Sequence, residues 1–97
     1  MNVVLTPGAN AEQAVAYHNH EAERAHHKAL IALNDYNAAV LRLQAALSAM
    51  DAQRAAQAEA EADAAWTEML ALLTHGYEHR NTAAMAAEIE QNRKDGQ

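Results

Sequence analysis

Residues 48–51, Ser-Ala-Met-Asp, decide how this chain folds. They lie within the stretch from Gly8 to Gly76, which contains no other glycine and no proline. That stretch is dominated by Ala, Leu, Glu, Gln, Arg and Met, all strong helix formers. The side chain of Ser48 or of Asp51 can accept hydrogen bonds from the free amides of a new helix. The motif therefore predicts that one long helix ends here and a second begins.

The phase of the apolar residues changes at the same place. After the motif, an unbroken series with spacings of three and four runs from Ala55 to Leu72, one residue out of phase with the series before it. We therefore predict an all-α fold, an antiparallel helical hairpin with a coiled-coil-like, alanine-rich seam. The alternative is one continuous helix with a stutter in a long coiled coil. The series before the motif consists of Val15, His18, Ala22, Ala25, Ala29, Leu33, Tyr36, Val40, Leu43, Leu47 and Met50.

We expect a single helical domain of 97 residues. Its second helix should end before Gly76, because glycine readily adopts the left-handed conformation that follows many helices. A short C-terminal helix should follow. The predicted segments are an arm at residues 1–9, helix 1 at 10–49, helix 2 at 52–75 and helix 3 at 82–94.

Alanine accounts for 26 of the 97 residues, whereas Leu, Ile and Val together number 15. A buried methylene contributes roughly 0.8 kcal/mol and a fully buried Leu roughly 1.5–3 kcal/mol, so the core of one chain must be thin. We therefore predict a homodimer that completes a four-helix bundle. The face left for the second chain consists of Leu30, Ile31, Leu41, Trp66, Leu70 and Leu73.

Composition argues against several classes of function. Without cysteine there is no disulfide and no thiolate zinc site, and the expected compartment is the cytoplasm. A net charge of -6 with seven Lys and Arg argues against direct binding to nucleic acid. No apolar run approaches the ~20 residues of a membrane helix. Because nucleophile and phosphate-binding motifs are also absent, we expect a non-enzymatic protein.

The negative charge is concentrated in the predicted second helix. From Asp51 to His79 there are six acidic residues and one basic residue, which gives -5 of the total -6. This segment is either an ordinary solvated surface or one that docks on a basic, nucleic-acid-binding surface of a partner protein, as an adaptor or an inhibitor. In size and charge the chain resembles small inhibitors encoded by mobile genetic elements. The predicted contact residues are Glu59, Glu61, Asp63, Trp66 and Glu68.

The six histidines fall into two groups that the antiparallel register would bring together. Glu23 and His26 have the Glu-x-x-His spacing of carboxylate-bridged metal sites in four-helix bundles. His75 and His79 have the i, i+4 spacing that is used to bind zinc. The alternative function is therefore a metal-binding or metal-storing bundle that holds Fe, Zn or Ni with these four residues. The competing interpretation is that they are surface histidines without a cofactor.

Overall fold

The computed structural model describes residues 9–96, and this part of the chain is helical. Helix α1 spans Ala9–Ser48 and helix α2 spans Ala52–Asp95. No strand occurs within residues 9–96, and no helix there has a stretch long and apolar enough to cross a membrane. The prediction of an all-α fold in which two long helices pack against each other is therefore confirmed. The predicted arm at residues 1–9 lies, except for residue 9, outside the described residues.

The chain comprises two compact units, each built from one segment of α1 and one segment of α2. The turn unit is His26–Leu73, and the terminal unit consists of Met1–Ala25 and Thr74–Gln97. Within each unit the two segments are antiparallel, because residues later in α1 contact residues earlier in α2. In the turn unit these contacts are Tyr36 with Trp66 and Arg42 with Glu61, and in the terminal unit His18 with His79 and Ala25 with Gly76.

The turn between the helices is made by Ala49, Met50 and Asp51. The amide of Asp51 donates to the carbonyl of Ala46 at 2.9 Å, and the amide of Met50 donates to the carbonyl of Leu47 at 3.0 Å. This is the Schellman pattern, in which the residue after the helix takes a left-handed conformation. Met50 does so with a φ of 55°.

Helix α2 is capped at its start by Asp51. The Oδ1 atom of this residue accepts a hydrogen bond from the amide of Arg54 at 3.1 Å, as an N-cap residue does for the third helical residue. The predicted helix boundary is therefore confirmed, with Asp51 as the cap.

The helices meet along a seam of small residues. In α1 the buried positions are Ala22, Ala25, Ala29, Ala32, Ala39 and Ala46, and in α2 they are Ala55, Ala58, Ala62, Met69 and Ala83. The spacings are three, four or multiples of seven. After Ala29 the predicted stripe of α1 lies at the edge of the seam: Leu33 and Val40 are partly buried and Leu47 is exposed, each one residue beyond a fully buried alanine. An alanine seam lets the helix axes approach closely, and the larger side chains then lie beside the seam.

The predicted end of helix 2 at residue 75 and the separate helix over 82–94 were wrong, because α2 continues through Gly76 to Asp95. Gly76 is buried and lies seven residues from both Met69 and Ala83, at a seam position. A Cβ atom there would lie 3.4 Å from the Cβ of Ala25 and 3.5 Å from the carbonyl oxygen of Ala22. The helix therefore continues through this position, where the facing helix leaves space for a methyl group and little more.

Candidate functional site

Large apolar side chains line one side of the turn unit. Trp66 contacts Tyr36 on this side, with ring centroids 5.1 Å apart. The residues that follow the buried alanines at 32, 39 and 46 lie on the same flank of α1, because successive residues of a helix are rotated by about 100°. We call this surface the apolar strip. It consists of Leu30, Leu33, Val40 and Leu47 of α1 with Trp66, Leu70 and Leu73 of α2.

All six residues predicted for the dimer face are exposed, by 42–66%. Four of them belong to the apolar strip. Ile31 does not, because it lines a shallow groove with Lys28, Asp35 and Glu68 on the other side of the turn unit. Leu41 is the most exposed of the six, at 66%. The six residues predicted for the dimer face therefore do not share one surface.

Two of the predicted acidic contact residues lie opposite basic residues of α1. Glu61 accepts a hydrogen bond from Nη2 of Arg42 at 2.8 Å, and both side chains are about half exposed. Glu68 lines the shallow groove together with Lys28. Each of these acids immediately precedes a buried residue of α2, so they share one flank of the seam. The carboxylate of Glu61 is paired with Arg42 of the same chain, whereas Glu68 shares its groove with Lys28 and Asp35.

The other two predicted acids lie at the edge of the apolar strip. Glu59 and Asp63 are seven and three residues before Trp66, spacings that place them on the same face of α2. All three side chains are exposed. The five predicted contact residues thus do not form one acidic face. Glu59, Asp63 and Trp66 share a surface that Glu61 and Glu68 do not.

Three histidine rings meet in the terminal unit. Nδ1 of His18 lies 2.7 Å from Nδ1 of His79, and Nε2 of His79 lies 3.0 Å from Nε2 of His75. Three residues, Glu21, His75 and His79, each contribute one potential ligand atom, and these three atoms lie within 4.8 Å of one another. The ring of Tyr17 packs edge-on against His18 and His79, with centroid distances of 5.1 and 6.2 Å. We call His18, Glu21, His75 and His79 the histidine cluster.

Seam geometry explains how this cluster forms. His18 precedes the buried Ala22 by four residues, and His79 precedes the buried Ala83 by four. Both rings therefore enter the seam, where the neighbouring small side chains leave them room. They are half-buried, as is Glu21, whereas His75 is exposed.

The structure brings together only part of the predicted metal set. His75 and His79 are adjacent, but the carboxylate beside them belongs to Glu21, not to Glu23, which is exposed two residues further along α1. His26 is exposed and belongs to the turn unit. The spacing of four between His18 and Ala22 already marked His18 as a seam residue, but sequence reasoning did not include Glu21.

Comparison of the chain with protein-family models, with curated proteins and with solved structures found no match.

Proposed function

We propose that the protein is a non-enzymatic helical interaction module whose apolar strip docks on the same strip of a second copy. The observation that supports this is the contrast between strip and core. Among the buried hydrophobic residues of the described part, all except Met69 are alanines, while Leu47, Trp66 and Leu70 are 43–61% exposed. Because burying a large apolar side chain contributes roughly 1.5–3 kcal/mol, the strip offers more stabilisation than the seam.

A second copy is the occupant that this surface fits best. Exposed apolar patches beyond roughly 300–600 Å² are typical of interaction sites. The strip runs along both helices of the turn unit, so two copies facing each other would form a four-helix layer with coiled-coil-like packing.

The mass of the full chain in solution tests this proposal. Sedimentation velocity over a range of concentrations should reveal a species of twice the 10.5 kDa chain mass. Leu73→Lys, which places a charge in the strip, should weaken association at least about 100-fold, since an unpaired buried charge costs several kcal/mol. The matched control is Ile31→Lys, an equally polar change at a 52% exposed residue outside the strip, which should leave the dimer intact.

A wild-type chain that stays monomeric at all concentrations would overturn self-association. Equal weakening by Leu73→Lys and Ile31→Lys would also overturn it, because the interface would then not be the apolar strip. Circular dichroism of both variants separates loss of association from loss of helix.

The acidic edge favours a second candidate function, docking on a basic surface of another protein as an adaptor or inhibitor. Glu59 and Asp63 lie beside Trp66 and are exposed, and acidic groups around an aromatic anchor favour a basic partner. Reversing both charges to Lys should abolish capture of such a partner from the native host. The control Glu88→Lys, at an exposed acid of the terminal unit, should retain it. Capture that survives reversal at Glu59 and Asp63 would contradict this function.

A further inference from the structure

We infer that the histidine cluster is a binding site for a divalent transition-metal ion of the Zn²⁺ type, with Glu21, His75 and His79 as its ligands. This site is independent of the proposed interaction function, because it lies in the terminal unit and shares no residue with the apolar strip. Two imidazoles and one carboxylate form a donor set that zinc accepts, with a fourth position left for water.

The distance between the two imidazoles agrees with such an ion. Nε2 of His75 and Nε2 of His79 lie 3.0 Å apart. Two nitrogens bound to one tetrahedral Zn²⁺ at 2.0–2.1 Å would be separated by about 3.3 Å. The two residues are also four apart on α2, so one turn of helix holds both rings toward the same point. The pair is therefore arranged as a chelate before any ion binds.

Glu21 supplies the third ligand from the facing helix. Its ligand atom lies within 4.8 Å of those of both histidines, and an adjustment of under about 1.5 Å by side-chain rotation brings it to bonding distance. Its Oε1 atom accepts a hydrogen bond from Nη1 of Arg24 at 3.2 Å. This bond restrains the carboxylate, which still has a second oxygen to offer.

His18 positions the ligand His79 without binding the ion itself. Nδ1 of His79 lies 2.7 Å from Nδ1 of His18. One of these two nitrogens must carry the hydrogen, because a neutral imidazole has one N–H and one lone pair. When His79 donates from Nδ1, its Nε2 lone pair is free for the metal. Metal-bound histidines commonly donate their other ring N–H to a neighbouring acceptor, which fixes the tautomer and the ring orientation.

In the free cluster the 3.0 Å between Nε2 of His75 and Nε2 of His79 is a hydrogen-bond distance, and when His79 donates from Nδ1 it is His75 that donates from Nε2. With both rings neutral, the metal ion takes the place of this hydrogen, and His75 then carries its proton on Nδ1. The ion would join Glu21 of α1 to His75 and His79 of α2. Binding should therefore stabilise the packing of the two helical segments in the terminal unit.

Titration of the untagged, chelator-treated full chain with ZnCl₂ tests the site. Calorimetry should give one ion per chain, and the melting temperature should rise as Zn²⁺ is added. His18→Gln should lower the affinity by roughly 10–100-fold without changing the stoichiometry. His79→Gln and Glu21→Gln, which remove ligands, should lower it further. Co²⁺ in place of Zn²⁺ should show the visible absorption of a four-coordinate ion, and His79→Gln should abolish that absorption.

Matched controls exist because the chain has further exposed histidines. His20→Gln and His26→Gln make the same chemical change outside the cluster and should leave the affinity unchanged. Equal losses in these controls, or no saturable binding by the wild type, would overturn the site. Leu73→Lys should keep its Zn²⁺ affinity, so failure of self-association and failure of metal binding are distinguished in one set of proteins.

Discussion

Gly76 of α2 packs so closely against Ala25 of α1 that a Cβ atom built on the glycine would lie 3.4 Å from the Cβ of the alanine. This distance is an ordinary van der Waals contact, so the seam at this point has space for a methyl group and for little more. The three seam residues around this contact are all small, since Ala22 and Ala25 face Gly76. Whether a substitution at this position stabilises or destabilises the protein should therefore depend on the size of the new side chain.

Gly76→Ala should stabilise the protein by about 0.5–1 kcal/mol, because glycine in a helix interior is destabilising by that amount relative to alanine. Gly76→Leu should destabilise it by roughly 1–3 kcal/mol, because the larger side chain must push α1 away. Urea unfolding followed by circular dichroism measures both changes. If Gly76→Ala destabilised the protein instead, the space beside Ala25 would be too small for a methyl group, and the two helices would lie closer together than the 3.4 Å contact indicates.

Met50→Gly should also stabilise the protein. Met50 has a φ of 55°, and the left-handed conformation costs a residue with a side chain roughly 1–2 kcal/mol. After subtracting the greater unfolded-state entropy of glycine, the expected gain is about 0.5–1 kcal/mol. The matched control is Ala49→Gly, since Met50 is the only non-glycine residue with positive φ in the described part. A gain from Ala49→Gly as large as that from Met50→Gly would contradict the explanation.

Asp51→Ala should destabilise the protein by roughly 0.5–2 kcal/mol, because it removes the acceptor for the amide of Arg54. Asp51→Asn should keep most of the stability, since asparagine caps helices about as well. The ion pair of Asp51 with Arg54, at 3.4 Å, is exposed and adds little. Chemical denaturation of the two variants in parallel separates the cap from the charge. If Asn were as damaging as Ala, the charge and not the cap would be responsible.

The pKa of Glu90 should rise on substitution of Arg93 by Gln. A hydrogen bond from the Arg93 guanidinium lowers the pKa of the Glu90 carboxyl below its usual value, and the positive charges of Arg93 and Lys94 act in the same direction against partial desolvation. Because the folded pKa is depressed, this pair stabilises the folded protein above the unfolded pKa. The contribution is lost as the pH falls through the folded value.

Carbon-detected NMR titration of the Glu90 carboxyl measures this shift. The midpoint in the wild type should lie below that in Arg93→Gln, and Arg80→Gln, which leaves the Glu90–Arg93 pair in place, should resemble the wild type. Identical midpoints in the wild type and Arg93→Gln would refute the assignment to Arg93.

Capping and composition were sufficient to predict the turn, but they did not predict which residues of the flanking helix α1 are buried. The leucines and valines of α1 suggested a stripe through Leu33, Val40 and Leu47, whereas the buried residues are Ala32, Ala39 and Ala46. A pattern based on hydrophobicity assigns the larger apolar residues to the buried positions. The facing alanines of α2 favour close contact between axes, and that contact is possible only when alanine also occupies the seam of α1.

The histidine cluster was predicted from sequence only where its residues lie on one helix. His75 and His79 could be paired from sequence, because their spacing lies within one turn of a single helix. The choice of Glu21 over Glu23 could not, since it depends on the rotation of α1 relative to α2. A difference of two residues moves a side chain by about 200° around a helix.

The sequence by itself determined the helical class and the turn at residues 48–51, with Ser48 or Asp51 as the cap, because helix propensity and capping act over a few neighbouring residues. Only the tertiary structure decided that α2 passes through Gly76, that Ala32, Ala39 and Ala46 are the buried residues of α1 after Ala29, and that His18 and Glu21 meet His75 and His79. Each of these depends on contacts between the two helices. For Gly76 and the histidine cluster, the residues in contact are 50 or more positions apart in the chain. Such contacts are set by how closely and at what rotation two helices pack, and neither quantity is encoded in local spacing.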